Sequence, residues 1–143
     1  LGAEHEPMQE ELRGLDVSVC VNEAWEEGMG TSLARGIAHL RDLSRPIERA
    51  LITLCDQPAV DASLLRELLE THARSGRSMT ASAYADTLGV PAVFESDHFD
   101  ALAASEGDRG ARALLRDASA DVNAFPFAAG ALDVDRETDL RRR

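Results

Sequence analysis

Short apolar runs alternate with segments of helical periodicity along this chain, which predicts an α/β fold with a mostly parallel sheet and helices on both faces. Three observations carry that reading. The run Ala50-Leu-Ile-Thr-Leu-Cys55 is apolar throughout and stops abruptly at Asp56-Gln-Pro58, as a strand buried on both faces does. Leu64, Leu65, Leu68 and Leu69 recur at helical spacing, and are expected to face inward, between an Asp61 or Ser63 cap and a stop at Gly76. Val122 to Phe125 is a further apolar run, ended by Pro126.

The elements follow in order. Leu1-Gly2-Ala3 reads as a strand end and its turn. Glu6 to Leu12 is expected to be a helix with Pro7 in its first turn. Val17 to Val21 is expected to be a short strand. Asn22 to Gly30 is a loop with a lone Trp25, and Thr31 or Ser32 caps a helix to about Leu43 with Leu33, Ile37 and Leu40 on one face. After the Ala50–Cys55 strand and the leucine helix come a strand over Met79 to Ala85, a turn over Asp86 to Gly89, and a strand over Val90 to Phe94. That last pair is too closely linked for a parallel crossover, so it is expected to be antiparallel. Ser96 caps a short helix through Leu102, and Gly107 or Asp108 opens another over Arg109 to Leu115. A strand over Leu132 to Asp135 and a helix from Thr138 complete the pattern.

Composition narrows the function. With 143 residues, a single domain over 1–143 is expected. The net charge of -11 argues against a nucleic-acid partner, which needs a basic face, and against an anionic membrane surface. All 15 basic residues are Arg, so no lysine of this chain can form a Schiff base or hold a phosphate. Cys20 and Cys55 fall in expected strands and read as small buried hydrophobes. A cytoplasmic protein is the natural reading, with no signal peptide and no apolar run long enough to span a bilayer. His5, His39, His72 and His98 are scattered without metal-ligand spacing.

Asp56 is the leading site residue. In open α/β sheets ligands sit beyond the carboxyl ends of strands, and a carboxylate there could meet a hard cation. Gly28 and Gly30 let main chain approach a ligand closely, and the helix start at Thr31–Leu33 offers N–H donors. Arg109 and Arg112 could grip a phosphate in bidentate fashion. Each residue also has a plain structural reading. Asp56 could cap a turn, the glycines could allow one, Asp108 could be an N-cap, and the arginines could be solvated charges. Trp25 and Met29 read as loop packing.

Five fragments together resemble MobA-like nucleotidyltransferases, in particular MocA-type molybdenum cofactor cytidylyltransferases. They are Asn22-Glu-Ala-Trp25-Glu-Glu-Gly28-Met-Gly30-Thr-Ser32-Leu33, Leu54-Cys-Asp56-Gln57-Pro58, Gly89-Val-Pro91-Ala-Val-Phe94, Gly107-Asp108-Arg109-Gly110-Ala-Arg112-Ala-Leu-Leu115, and Leu132-Asp133-Val-Asp135 with Thr138-Asp139-Leu140. The resemblance implies a Rossmann-like three-layer αβα nucleotidyltransferase fold. It also implies transfer of a nucleotidyl group from an NTP, with Mg²⁺, to a phosphorylated acceptor such as the pterin cofactor. Asp56 and Asp135 would be the metal-binding carboxylates, although Asp135 could cap the last helix and Asp133 could be the ligand instead. Gly28, Gly30 and Ser32 would lie near the base and ribose, and Gln57 and Pro58 would shape the pocket floor. The Asp-Gln-Pro and Thr-Ser-Leu variants favour CTP over GTP.

The family's Gly-rich NTP-binding loop and following Lys have no counterpart here. The resemblance therefore makes this an N-terminally incomplete member, the C-terminal two thirds of the domain. A non-catalytic remnant that binds a partner, and a sugar-phosphate nucleotidyltransferase, are the competing expectations. An uncovered sheet edge would favour a homodimer.

Overall fold

The computed structural model describes residues 1–132. Asp133, Asp135, most of the strand expected over 132–135 and the helix expected from Thr138 lie outside the described residues. The chain divides into two compact units, Leu1–Ile47 with His98–Leu114, and Glu48–Asp97 with the chain from Leu115 onward.

The first unit is helical. Helix α1 spans His5–Glu11 and α2 spans Met29–Arg41, led in by a 3-10 turn at Trp25–Glu27. Helix α4 spans Phe99–Ala103 and packs on α2; Ile37 of α2 and Phe99 and Leu102 of α4 are buried, so the apolar face expected for α2 is used. The strand expected over Val17 to Val21 does not form. Backbone bonds from the Leu1 amino group to Cys20 O (2.7 Å) and from Asn22 N to Leu1 O (2.8 Å) tie it to a single residue. A strand needs a row of partners, and among the described residues this segment has none; Val17 is exposed.

The second unit is a four-stranded sheet with one helix on it. Strand β1 spans Arg49–Ile52, α3 Ala62–Ser75, β2 Met79–Tyr84, β3 Thr87–Glu95, and β4 Val122–Pro126. The order is β1-β3-β2-β4. Strands β1, β2 and β4 point the same way, while β3 runs against both neighbours. The sheet is thus mostly parallel in strand direction, with the antiparallel excursion expected around Tyr84–Phe94 placed between β1 and β2. The turn sits earlier than expected, at Ala85 and Asp86, both with positive φ, the backbone of a tight hairpin whose twist matches its strands.

Strand β1 stops at Ile52 because its register with β3 ends at Ala92, where Val90 and Pro91 are bulged out of the β2 ladder. Cys55 therefore stands in the turn after β1 and is exposed, and Cys20 is half-buried outside any strand; neither is the buried strand residue expected.

Asp61 caps α3 by accepting from Leu64 N at 2.8 Å, and Gly76 ends it in the left-handed region. Leu68 is buried with Tyr84, Val93, Phe125 and Phe127 on one face of the sheet, and Leu64 packs against them. Leu69 faces out, and His72 takes the inward position one turn beyond Leu68. Its imidazole is 2 % exposed and bridges Thr80 Oγ1 (2.9 Å) and Glu95 Oε1 (2.8 Å). On the other face Met79, Ala81, Ala92 and Phe94 are buried too, as expected of strands apolar on both sides. Helix α5, Ala111–Asp117, starts two residues later than expected. Among the described residues no helix is long and apolar enough to cross a membrane.

Candidate functional site

Asp56 lies in the turn after β1, at the carboxyl end of that strand. Its Oδ1 is buried and accepts no hydrogen bond among the described residues. An unpaired carboxylate oxygen out of reach of bulk solvent is costly, and a bound cation or an ordered water would satisfy it.

The next residue is held more tightly. Gln57 is 5 % exposed, and its Nε2 donates to Gly130 O at 3.0 Å. That bond settles which way the amide points, since only the NH₂ can donate to a carbonyl. Gln57 Oε1 is then turned away from Gly130, and it too is buried with no donor among the described residues. Pro58 is exposed beyond it.

Gly130 belongs to a 3-10 turn, Ala128–Ala131, that follows β4. A Cβ there would stand 2.7 Å from Tyr84 Cδ1 and 2.6 Å from Phe127 Cδ1, so only glycine lets the turn lie on those rings. Gln57 thereby fastens the acidic turn after β1 to the segment that runs on, in sequence, to Asp133 and Asp135.

The same end of the sheet holds an open cleft of about 610 Å³, lined by Tyr84, Asp86, Thr87, Leu88, Arg116 and Ser119 among others. Arg116 escaped the sequence reading, which placed the end of α5 at Leu115. Its only sequence signal is position, at the close of a short helix that leads to a parallel strand.

In the first unit, Gly28 and Gly30 serve a close approach, but of protein backbone. Gly28 has φ +113°, and a Cβ on it would lie 2.9 Å from Gly107 Cα; one on Gly30 would lie 2.8 Å from Gly107 O. Gly30 N donates to that oxygen at 2.7 Å. Ser32 Oγ and Thr31 Oγ1 both accept from Asn22 Nδ2, at 3.0 and 2.9 Å, while Asn22 Oδ1 accepts from Ala24 N at 3.1 Å. Asn22, which sequence reasoning did not single out, is buried and holds the loop to the start of α2. Arg109 precedes α5 and Arg112 lies in its first turn, both exposed. Gly28, Gly30 and Ser32 are brought together in one unit, and Asp56 and Gln57 in the other.

Among the described residues no three His, Cys, Asp or Glu side chains cluster as metal ligands. The donor set nonetheless suits a hard divalent cation at one point: Asp56 Oδ1 is a buried anionic oxygen with no proton donor facing it among the described residues.

An α/β sheet that gathers an unpaired carboxylate and a cleft at the carboxyl ends of its parallel strands is the architecture of a ligand-handling α/β domain. The chain belongs to the MobA-like NTP transferase domain family, whose model matches residues 1–122. It is a nucleotidyltransferase domain, and a nucleoside triphosphate is its substrate class.

No curated protein matches. Among solved structures, Rv0371c from Mycobacterium tuberculosis H37Rv is 27% identical, with TM-score 0.74, covering 99% of this chain and 72% of that one. A manganese complex of Rv0371c aligns at 25% identity and TM-score 0.76, covering 99% and 73%. Molybdopterin-guanine dinucleotide biosynthesis protein A from Archaeoglobus fulgidus, 13% identical with TM-score 0.65 and covering 97% and 72%, shares the fold.

Proposed function

We propose that this domain transfers a cytidylyl group from CTP to a phosphorylated acceptor of the pterin-cofactor kind, with Mg²⁺, through a site built on Asp56 and Asp135. One observation carries the reading. Asp56 Oδ1 is buried and unpaired among the described residues although the turn around it is partly exposed, and Gln57 Nε2 fastens that turn to the segment leading, in sequence, into Asp133 and Asp135. The manganese complex of Rv0371c supports divalent-metal use.

The chemistry asks for such a seat. An acceptor phosphate oxygen forms a bond to the α-phosphorus, the α–β bridging bond breaks, and pyrophosphate leaves. When bound, a divalent cation offsets the repulsion between these anions. Asp56 and Asp135 would hold it, since Mg²⁺ takes one or two carboxylates and leaves its other positions to phosphate oxygens and water. Gln57 keeps the Asp56 turn in place. The cleft lined by Tyr84, Thr87, Arg116 and Ser119 offers an aromatic wall, hydroxyls and a guanidinium to the acceptor. By the family resemblance, Pro58 shapes the pocket floor beside Gln57.

The test is isothermal titration with CTP and GTP, with and without Mg²⁺, on the native chain and Asp56→Ala. Metal-dependent CTP binding that is tighter than GTP binding and lost in Asp56→Ala is the expected result. Nucleotide binding that ignores both metal and Asp56 would overturn the assignment.

A further inference from the structure

Two buried oxygens on consecutive residues, Asp56 Oδ1 and Gln57 Oε1, accept from nothing among the described residues. Orphaned acceptors are uncommon in native interiors, and a pair on one turn shares one explanation more economically than two. Gln57 Oε1 is an orphan by construction. The bond of its Nε2 to Gly130 O forbids flipping the amide to hide the oxygen. The alternation that sends neighbouring side chains to opposite faces holds only within a strand. Strand β1 ends at Ile52, and Asp56 and Gln57 lie past it.

We propose that Gln57 is a cation ligand as well as a clamp: its Oε1 joins Asp56 Oδ1 in holding the divalent metal, while its Nε2 fixes the turn to Gly130. Hard divalent cations accept amide carbonyl oxygens alongside carboxylates. The amide suits a position beside Asp56, because a neutral oxygen adds coordination without a second buried negative charge. It also links the two halves of the residue's work. The dipole that points the NH₂ at Gly130 O points the carbonyl oxygen at the cation, and each contact polarises the other. The inference rests on the metal reading of Asp56 given above.

Two substitutions separate ligand from clamp. Gln57→Met keeps the length and removes both polar ends. Gln57→Glu keeps an oxygen and adds charge, but no longer donates to Gly130 O. A mere clamp is lost equally in both. A ligand responds with opposite signs.

Mn²⁺ binding to the full chain, read as loss of the free Mn²⁺ signal in electron paramagnetic resonance, gives the affinities. Gln57→Met is expected to bind about tenfold more weakly, the scale of losing one supporting group at a metal site. Gln57→Glu is expected to bind about tenfold more tightly, from the added charge beside the cation. Equal weakening in both variants, or no change in either, overturns the proposal.

The native chain provides a check that needs no variant. With ¹⁵N label, substoichiometric Mn²⁺ should broaden the side-chain NH₂ signals of Gln57 before those of Gln9, which is exposed on α1. Persistence of the Gln57 signals while Mn²⁺ binds also overturns it. If the native chain binds no Mn²⁺ at all, the metal reading of Asp56 falls first. If it binds through Asp56 and ignores Gln57, only the present inference falls.

Discussion

Replacing Gly28 with alanine tests why that position is glycine. Its backbone, φ +113° and ψ 167°, lies where only glycine is at ease. Forcing an L-residue there costs about 1–3 kcal/mol. The new Cβ would also fall 2.9 Å from Gly107 Cα, against main chain that has no rotamer with which to yield. Overpacking of this kind costs about 1–3 kcal/mol. If the 106–107 loop retreats, the 2.7 Å bond from Gly30 N to Gly107 O is weakened, for about 1 kcal/mol more. The expected loss is therefore about 4 kcal/mol, a large share of the stability of an ordinary domain. In a chain of this size that lowers the melting temperature by roughly 13 °C. Gly36→Ala is the control: nothing lies within 4 Å of its Cβ position in the middle of α2, so alanine there should stabilise by up to about 1 kcal/mol. Far-UV circular dichroism melts of both variants make the comparison. A Gly28→Ala variant melting within about 2 °C of the native chain would refute the packing argument. The reason for the glycine would then have to be a ligand.

Asn22→Ala removes three hydrogen bonds at the start of α2 and should cost about 2–3 kcal/mol, read by urea denaturation. Asn22→Asp, which keeps only the acceptor side, should recover part of that loss. His72→Leu leaves Thr80 Oγ1 and Glu95 Oε1 without the imidazole that joins α3 to the sheet. The expected loss is about 2–4 kcal/mol, even though leucine is the more apolar side chain. A variant as stable as the native chain would show the network to be dispensable. Asp61→Ala should cost about 1 kcal/mol through its one cap bond to Leu64 N, seen as a small, parallel shift of the urea curve.

The parts that could be read ahead of the structure are those written in neighbouring residues. Helix α3 carries its own start and stop in Asp61 and Gly76, and the β2–β3 link is antiparallel simply because it is short. Strand ends are different, because a strand stops where its partner does. The apolar run to Cys55 looked like six residues of strand, but β1 lasts only as long as β3 lies beside it, so Cys55 is exposed. Val17 to Val21 has strand composition and lacks a partner row among the described residues, and composition alone cannot supply one. On α3 the apolar pattern placed Leu69 inside, but the position one turn beyond Leu68 is filled by His72. Burial there follows the polar partners at Thr80 and Glu95, which are distant in sequence.

The site divides along the same line. The placement of Asp56 just past a strand end was legible because the residue type and its place after an apolar run are both local. The work of Gln57 was not, because it depends on a carbonyl at Gly130, and Gly130 is glycine on account of Tyr84. Glycines show this limit most directly. Gly28 and Gly30 announced a close approach, and one exists, but whose atoms approach is a property of the fold. In this unit the backbone of Gly107 fills the space that a sequence argument would give to a ligand. A glycine in sequence therefore reports that room is needed, and only the neighbours show what needs it.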